Sequence, residues 1–420
     1  MWITLSMGQK KEDNILKQFC RLTCFEWKKI WKRKSTWITL GILLLFYLVM
    51  DGAYLFGSTY IDGEFLETRV EGTEIDIENG RRLSGRKIDD ELLKEIQQVL
   101  QTKSDTEDKR FKLTEEYQTK IRPYEGVYKI VNEMLYGSSV NLKNGVTQEQ
   151  LYDIRQEKIN LIWDQYHLSN SEKSYWQKKE DHLEKPITYE YADGYSYLID
   201  MSGVYRVCLM VTFLIAICMS IVFTEEHGRK TDQLILCSKL GRRQIYYAKI
   251  AAGSLFSFVV TVFCLLCTVF GAFMMFGMDG FNAKVQLIVS YYSESITMGQ
   301  ILLIMTGILL LSSVVTAIFT MVLSEITSSN MASMSVVVAL LFIARLVPIP
   351  NTYRVLSQLW NLQPINLLKY DAGFFDPRLV PVFGMKFTIW QVAPVFYVIL
   401  GILLLMLGKR VYCRYQVQGR

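Results

Sequence analysis

The sequence predicts an all-α polytopic membrane protein, with six transmembrane helices, an N-terminal amphipathic interfacial helix and a mainly helical external domain between spans one and two. Three observations predict it. Six long apolar runs lie at 37–56, 203–223, 247–276, 300–323, 331–348 and 390–407. Basic residues gather beside some run ends and avoid others. One long polar stretch, 58–200, separates the first run from the other five. A span needs about 20 mostly apolar residues to cross a hydrocarbon core of about 30 Å. Within that core the backbone must satisfy its own hydrogen bonds, so each run reads as a helix.

Charge sets the expected orientation, because Lys and Arg near span ends stay in the cytoplasm. Lys28, Lys29, Lys32, Arg33 and Lys34 precede the first run. Arg229, Lys230, Lys239, Arg242 and Arg243 lie between the second and third, with Lys249 just inside the third. Lys409, Arg410, Arg414 and Arg420 follow the sixth. The loop 277–299 has only Lys284, and the turn 324–330 has no base. Both termini are therefore expected in the cytoplasm of a plasma-membrane protein, with 58–200 outside. The stretch 58–200 holds 20 Lys and Arg against 29 Asp and Glu, whereas the rest of the chain holds 26 against 12. The overall charge of +5 hides these opposite populations. A basic inner rim suits anionic membrane lipid. Nucleic acid is not an expected partner, since the basic clusters hug the span ends.

Taken in order, residues 1–35 form a leader. No cleavable signal is expected, since the first apolar run starts only after 36 residues and is too long for a signal core. At about 100° per residue, Ile15, Leu16, Phe19, Leu22, Trp27, Ile30 and Trp31 share one face of a helix over 15–33. Lys17, Arg21, Lys28 and Lys32 share the other. Such a helix suits the inner membrane surface. Glu26 falls on its apolar side; Lys29 at i+3 is one partner, and a contact with another protein is the other reading.

The first span, 36–57, leads into the external domain, 58–200. There, 87–101 and 147–167 carry apolar residues near helical spacing. Thr147 and Gln150 make a capping box. Gly137, Asn141, Asn144 and Gly145 mark a break. The tyrosines of 175–197 suit burial and interface anchoring. Residues 201–420 hold five further spans, a cytoplasmic loop at 224–246 and an external loop at 349–389. That last loop carries Pro350, Pro364, Pro377 and Pro381 among aromatic rings. Its composition suits short helices at the outer membrane surface.

Several chemistries are absent from the sequence. No G-x-x-x-x-G-K-[ST] and no H-E-x-x-H occurs, so no nucleotide or zinc site is expected in this chain. His167, His182 and His227 are scattered. None of the eight cysteines lies in 58–200, which excludes a disulfide-stapled module there. Cys264 and Cys267 form a C-x-x-C inside an apolar run and read as small apolar residues. Asp51, Arg206 and Arg345 fall near the outer ends of their spans. Intramembrane charges are functional candidates by default, although snorkelling near a membrane face favours an anchoring role. A proton relay needs more acids at mid-depth than this chain has.

The loop after the second run reads FTEEHGRKTDQLILCSKLGRRQIYYAK. Its apolar knob, Leu234 to Leu236, sits between basic groups and suits either docking into another protein's groove or a solvated hairpin held by lipid headgroups. Glu225, Glu226, Gly228 and Arg229, then Leu234 and Leu236, then Ser238, Arg242 and Ile245 follow one another in it. In this order they resemble the permeases of ATP-binding-cassette exporters of the ABC-2 type. The resemblance extends to the basic helix with Phe25, Glu26, Trp27 and Lys28, to the six runs and to the bulky last external loop. It says little about 58–200. It implies a permease without its own nucleotide site, driven by a separate ATPase that binds ATP and Mg, with a second permease subunit, identical or sibling. It also implies that 224–246, including Arg243, and the leader helix contact the ATPase. The expected function is export of a hydrophobic or amphipathic peptide, drug or lipid across a bacterial plasma membrane. A receptor whose external domain binds a ligand without transport is the alternative, and the short tail after Leu407 counts against it.

Overall fold

The computed structural model describes residues 2–61, 64–101, 117–138, 140–200, 203–228 and 243–414. The leader is helical over Trp2–Lys32 (α1), longer than the 15–33 expected. One extended residue, Arg33, separates it from α2, Lys34–Leu55. The last carbonyls of α1 lack helical partners, and side chains of α2 supply them. Thr36 donates to the Ile30 carbonyl at 2.9 Å and the Trp37 indole to that of Trp31 at 2.8 Å.

The first departure from an all-α fold follows at once. α2 runs straight into β1, Phe56–Ile61, which pairs antiparallel with β2, Glu64–Thr68. A second antiparallel pair, β3 (Val380–Val382) and β4 (Met385–Phe387), lies in the last connecting loop. Both hairpins adjoin apolar or proline-marked segments, where periodicity alone does not separate strand from loop.

The head, 58–200, is built mainly from helices: α3 (Val70–Leu83), α4 (Asp90–Gln101), α5 (Glu125–Leu135), α6 (Gln148–Gln165), α7 (Asn170–Asp181) and α8 (Asp193–Ile199). α4 buries Leu92, Leu93, Ile96 and Leu100, one face at helical spacing. α6 starts at a capping box in which Thr147 and Gln150 exchange bonds. Trp163, Trp176, Tyr189 and Tyr195 join its core.

The bundle continues through α9 (Val204–Met219), α10 (Ile221–Gly228), α11 (Arg243–Phe276), α12 (Met298–Thr327) and α13 (Asn330–Leu346). Two short helices, α14 (Arg354–Asn361) and α15 (Pro364–Leu367), and the β3–β4 hairpin precede α16, Ile389–Arg414. Among the described residues, five helices are long and apolar enough to cross a membrane: α2, the stretch Asp193–Glu226, α11, α12 and α16. α13 has 17 residues, a rise of about 25 Å, and is the short apolar helix among the expected six spans. α12 is central and packs against α16, α11 and α9. Hydroxyls link the apolar helices where hydrocarbon offers no other partner. Ser257 donates to the Ser313 carbonyl at 2.9 Å, and Ser324 to that of Ser220 at 2.6 Å. Ser220 is the joint between α9 and α10.

The head is fastened to the loops at its end of the bundle. Buried Arg155 pairs with Glu180 and donates to the Ser290 carbonyl at 2.6 Å. The Trp176 indole donates to the Pro377 carbonyl at 2.6 Å. Glu172 pairs with Arg354 and accepts the Leu379 amide at 2.9 Å. Gly194 of α8 sits where a Cβ would lie 2.5 Å from the Gly277 carbonyl oxygen, so only glycine permits this approach.

Candidate functional site: a buried ion network

At the other end of the bundle, four charged side chains from three elements meet in the interior. Lys249, in the second turn of α11, is 1% exposed. Its ammonium lies 3.0 Å from Glu26 of α1, 2.7 Å from Glu226 of α10 and 3.3 Å from the Val222 carbonyl. Three acceptors match the three protons of an ammonium group. Lys29 closes the circuit, 2.8 Å from Glu26 and 3.4 Å from Glu226. Beside it, Arg33 donates to Glu225 at 2.6 and 3.1 Å. Three carboxylates and three cations therefore balance.

Burial by itself would push the Glu26 carboxyl up, but Lys249 and Lys29 outweigh it and hold the group below its ordinary value. Glu26 is thus charged at neutral pH.

Aromatic packing fixes the frame around the charges. Trp27 and Trp31 of α1 meet Phe256 of α11 edge-on, at 6.3 and 5.2 Å between ring centres. Phe223, Tyr246 and Tyr412 form a second cluster from α10, α11 and α16. Lys249 stands 5.7 Å over the Phe223 ring, and the Tyr246 hydroxyl donates to the Leu405 carbonyl at 2.9 Å. The arrangement holds no reactive pair. It is a mechanical joint that ties α1 to the ends of α10 and α11.

Of the residues singled out by sequence, Glu225 and Glu226 lie in the network, and Gly228 ends α10. Arg229, Leu234, Leu236, Ser238 and Arg242 lie outside the described residues. Arg243 opens α11 and is exposed. In α1, Phe25 is exposed with the Lys29 ammonium 4.8 Å from its ring centre. Trp27 is half-buried and Lys28 exposed. Glu26 pairs with Lys29, as its spacing allowed, and also with Lys249. The contributions of Arg33 and Lys249 were missed. Their signal was a carboxylate on the apolar face of one helix and a lysine just inside an apolar run.

The intramembrane charges do not converge. Arg206 donates to the Tyr197 hydroxyl at 3.2 Å and stacks over Tyr47 at 5.4 Å. Arg345 is exposed near the end of α13. Asp51 lies near the end of α2, its side chain outside those described.

A family model described as ABC-2 family transporter protein matches residues 34–408. The chain belongs to the ABC-2 transporter family. It is a multi-pass membrane protein and a permease subunit of an ABC transporter rather than an enzyme; such a transporter in general includes an ATPase partner. The matched region takes in three of the six network residues, Glu225, Glu226 and Lys249, while Glu26 and Lys29 of α1 and the adjoining Arg33 precede it. No curated protein and no solved structure matches this ABC-2 chain.

Proposed function

We propose that the chain is the permease of an ATP-driven exporter in a bacterial plasma membrane, moving a hydrophobic or amphipathic peptide, drug or lipid. In this reading both termini are cytoplasmic, the head is outside, and ATP and Mg bind in a separate ATPase. A second permease subunit completes the pathway. Support for that partner comes from α2, which leaves Trp37, Ile38, Ile42, Leu45 and Leu48 exposed along its length.

The observation that carries the reading is the Glu26–Lys249–Glu226 junction. An ATPase outside the bilayer can move the spans only through elements at their ends. A ligand shifts a conformational equilibrium only by binding its states unequally. Here one lysine joins the leader helix to the helices on both sides of 224–246. A push on either element reaches α10 and α11 together.

Purification from the native membrane, followed by ATP hydrolysis assays in nanodiscs, tests the proposal. A nucleotide hydrolase should co-purify, and Lys249→Gln should weaken the dependence of its activity on the permease while the complex stays assembled. Isolation without any nucleotide hydrolase would overturn the reading. Orientation is tested separately by a reporter at Asn144, which should respond only to reagents outside the cell.

A further inference from the structure

The head contains a cavity of about 450 Å³ where α3, α5 and the segment 189–200 meet the loop ahead of α12. That size lies within the range of small-molecule sites. Asp76, Glu125, Glu133, Glu190, Asp193 and Asp200 line it, against two bases, Arg122 and Lys129. Both bases are already engaged. Arg122 donates to Asp76 at 2.7 Å and to the Gly72 carbonyl at 2.5 Å. Lys129 lies 3.5 Å from Glu125. Glu190 and Asp193 have no hydrogen-bond or ion-pair partner among the described residues. The surplus charge in the recess is negative.

A second, independent feature points into the same space. Tyr189 is 3% exposed and lines the cavity, and its hydroxyl has no hydrogen-bond partner among the described residues. It abuts Gly126 of α5, where any Cβ would overlap the hydroxyl oxygen. The rings of Tyr191, Tyr197 and Tyr370 add aromatic wall. Carboxylates form strong charge-assisted bonds with ammonium and guanidinium groups, and tyrosine faces attract the same cations. Among the described residues, no three His, Cys, Asp or Glu side chains converge as a metal site. The carboxylates line a space with room for an organic group.

We propose that this cavity binds an organic cation, the lysine or arginine side chain of a short basic peptide, between the Glu190 and Asp193 carboxylates and the tyrosine walls. The site is distinct from the ion network and goes beyond the export reading. Binding is measured without ATPase or transport, so failure of either idea leaves the other standing.

The test uses the full-length protein in nanodiscs of uncharged lipid and fluorescent tetra-arginine amide, with tetraglutamate as the control. Tetra-arginine should bind saturably and weaken with added salt, and tetraglutamate should not bind. The double variant Glu190→Gln/Asp193→Asn should weaken binding at least tenfold, and Tyr189→Phe severalfold. Should the double variant melt early, Asp193→Asn alone serves, because among the described residues that side chain makes no hydrogen bond or salt bridge. Unchanged affinity in the carboxylate variants, or equal binding of tetraglutamate, would overturn the proposal.

Discussion

Lys249 and Glu26 are 223 positions apart in the chain and 3.0 Å apart in space. The pair joins a helix ahead of the first span to the start of a later one. Breaking a buried pair costs more than its net contribution, because the surviving charge stays buried and uncompensated.

Lys249→Met should therefore be costly, near the low end of about 3–5 kcal/mol, since it leaves Glu26 and Glu226 to share the half-exposed Lys29. Adding Glu26→Gln removes one of the two under-compensated charges. The double variant should melt above Lys249→Met in detergent. Additive losses from the two changes would show that the residues do not act as a unit.

Glu172 gives a pH dependence of known sign. Burial opposes its charge, but Arg354, Ser169 and the Leu379 amide outweigh it and depress the carboxyl from 4.5 to about 2. A depressed carboxyl contributes stability above its unfolded value and loses it as pH falls through its folded value. Glu172→Gln should lower the melting temperature by a constant amount above about pH 4.5. The gap should close between there and about pH 2. A gap independent of pH across that window would reject the ion pair as its cause.

Arg155 is 1% exposed and reaches from α6 to the Ser290 carbonyl and Glu180. Arg155→Met should speed hydrogen exchange across 285–294, because that loop loses its buried tether to the head and keeps only the Lys179–Glu294 pair and weaker contacts. Lys185 remains 2.8 Å from Glu180, so the cost should fall near the low end of the buried-pair range, about 3 kcal/mol. Unchanged exchange there would mean that other contacts hold the loop.

Gly194→Ala drives a methyl against a backbone carbonyl that cannot rotate away. Overpacking of this kind costs about 1–3 kcal/mol. Gly307 of α12 is the contrast, with nothing within 4 Å of an added Cβ. Gly307→Ala should leave the melting temperature unchanged or slightly raised, by the ordinary helix preference of alanine. Equal losses at the two sites would remove the steric argument.

The apolar helices were legible in the sequence because hydropathy over a long window is a strong signal. Their ends were not. α11 begins at Arg243 rather than near Tyr247, since helical hydrogen bonding continues past the apolar limit. The short α13 looked like a full span because Val347 and Pro348, although apolar, follow the helix end. The strand of 56–61 was hidden behind the apolar run that feeds it. At the site, Glu26 and Lys249 were each visible as charges in apolar company. Their pairing was not visible, since nothing local relates residues on separate helices. The tyrosines of the head showed as a cluster, but which hydroxyl lacked a partner depended on the three-dimensional packing.

Arg33 is the only residue between α1 and α2, and the Thr36 and Trp37 side chains reach back across it to the carbonyls of Ile30 and Trp31. An elbow strapped at two points resists folding further and resists straightening. Torque applied to the leader helix is therefore delivered to the first apolar helix as a tilt, with little dissipated at the bend.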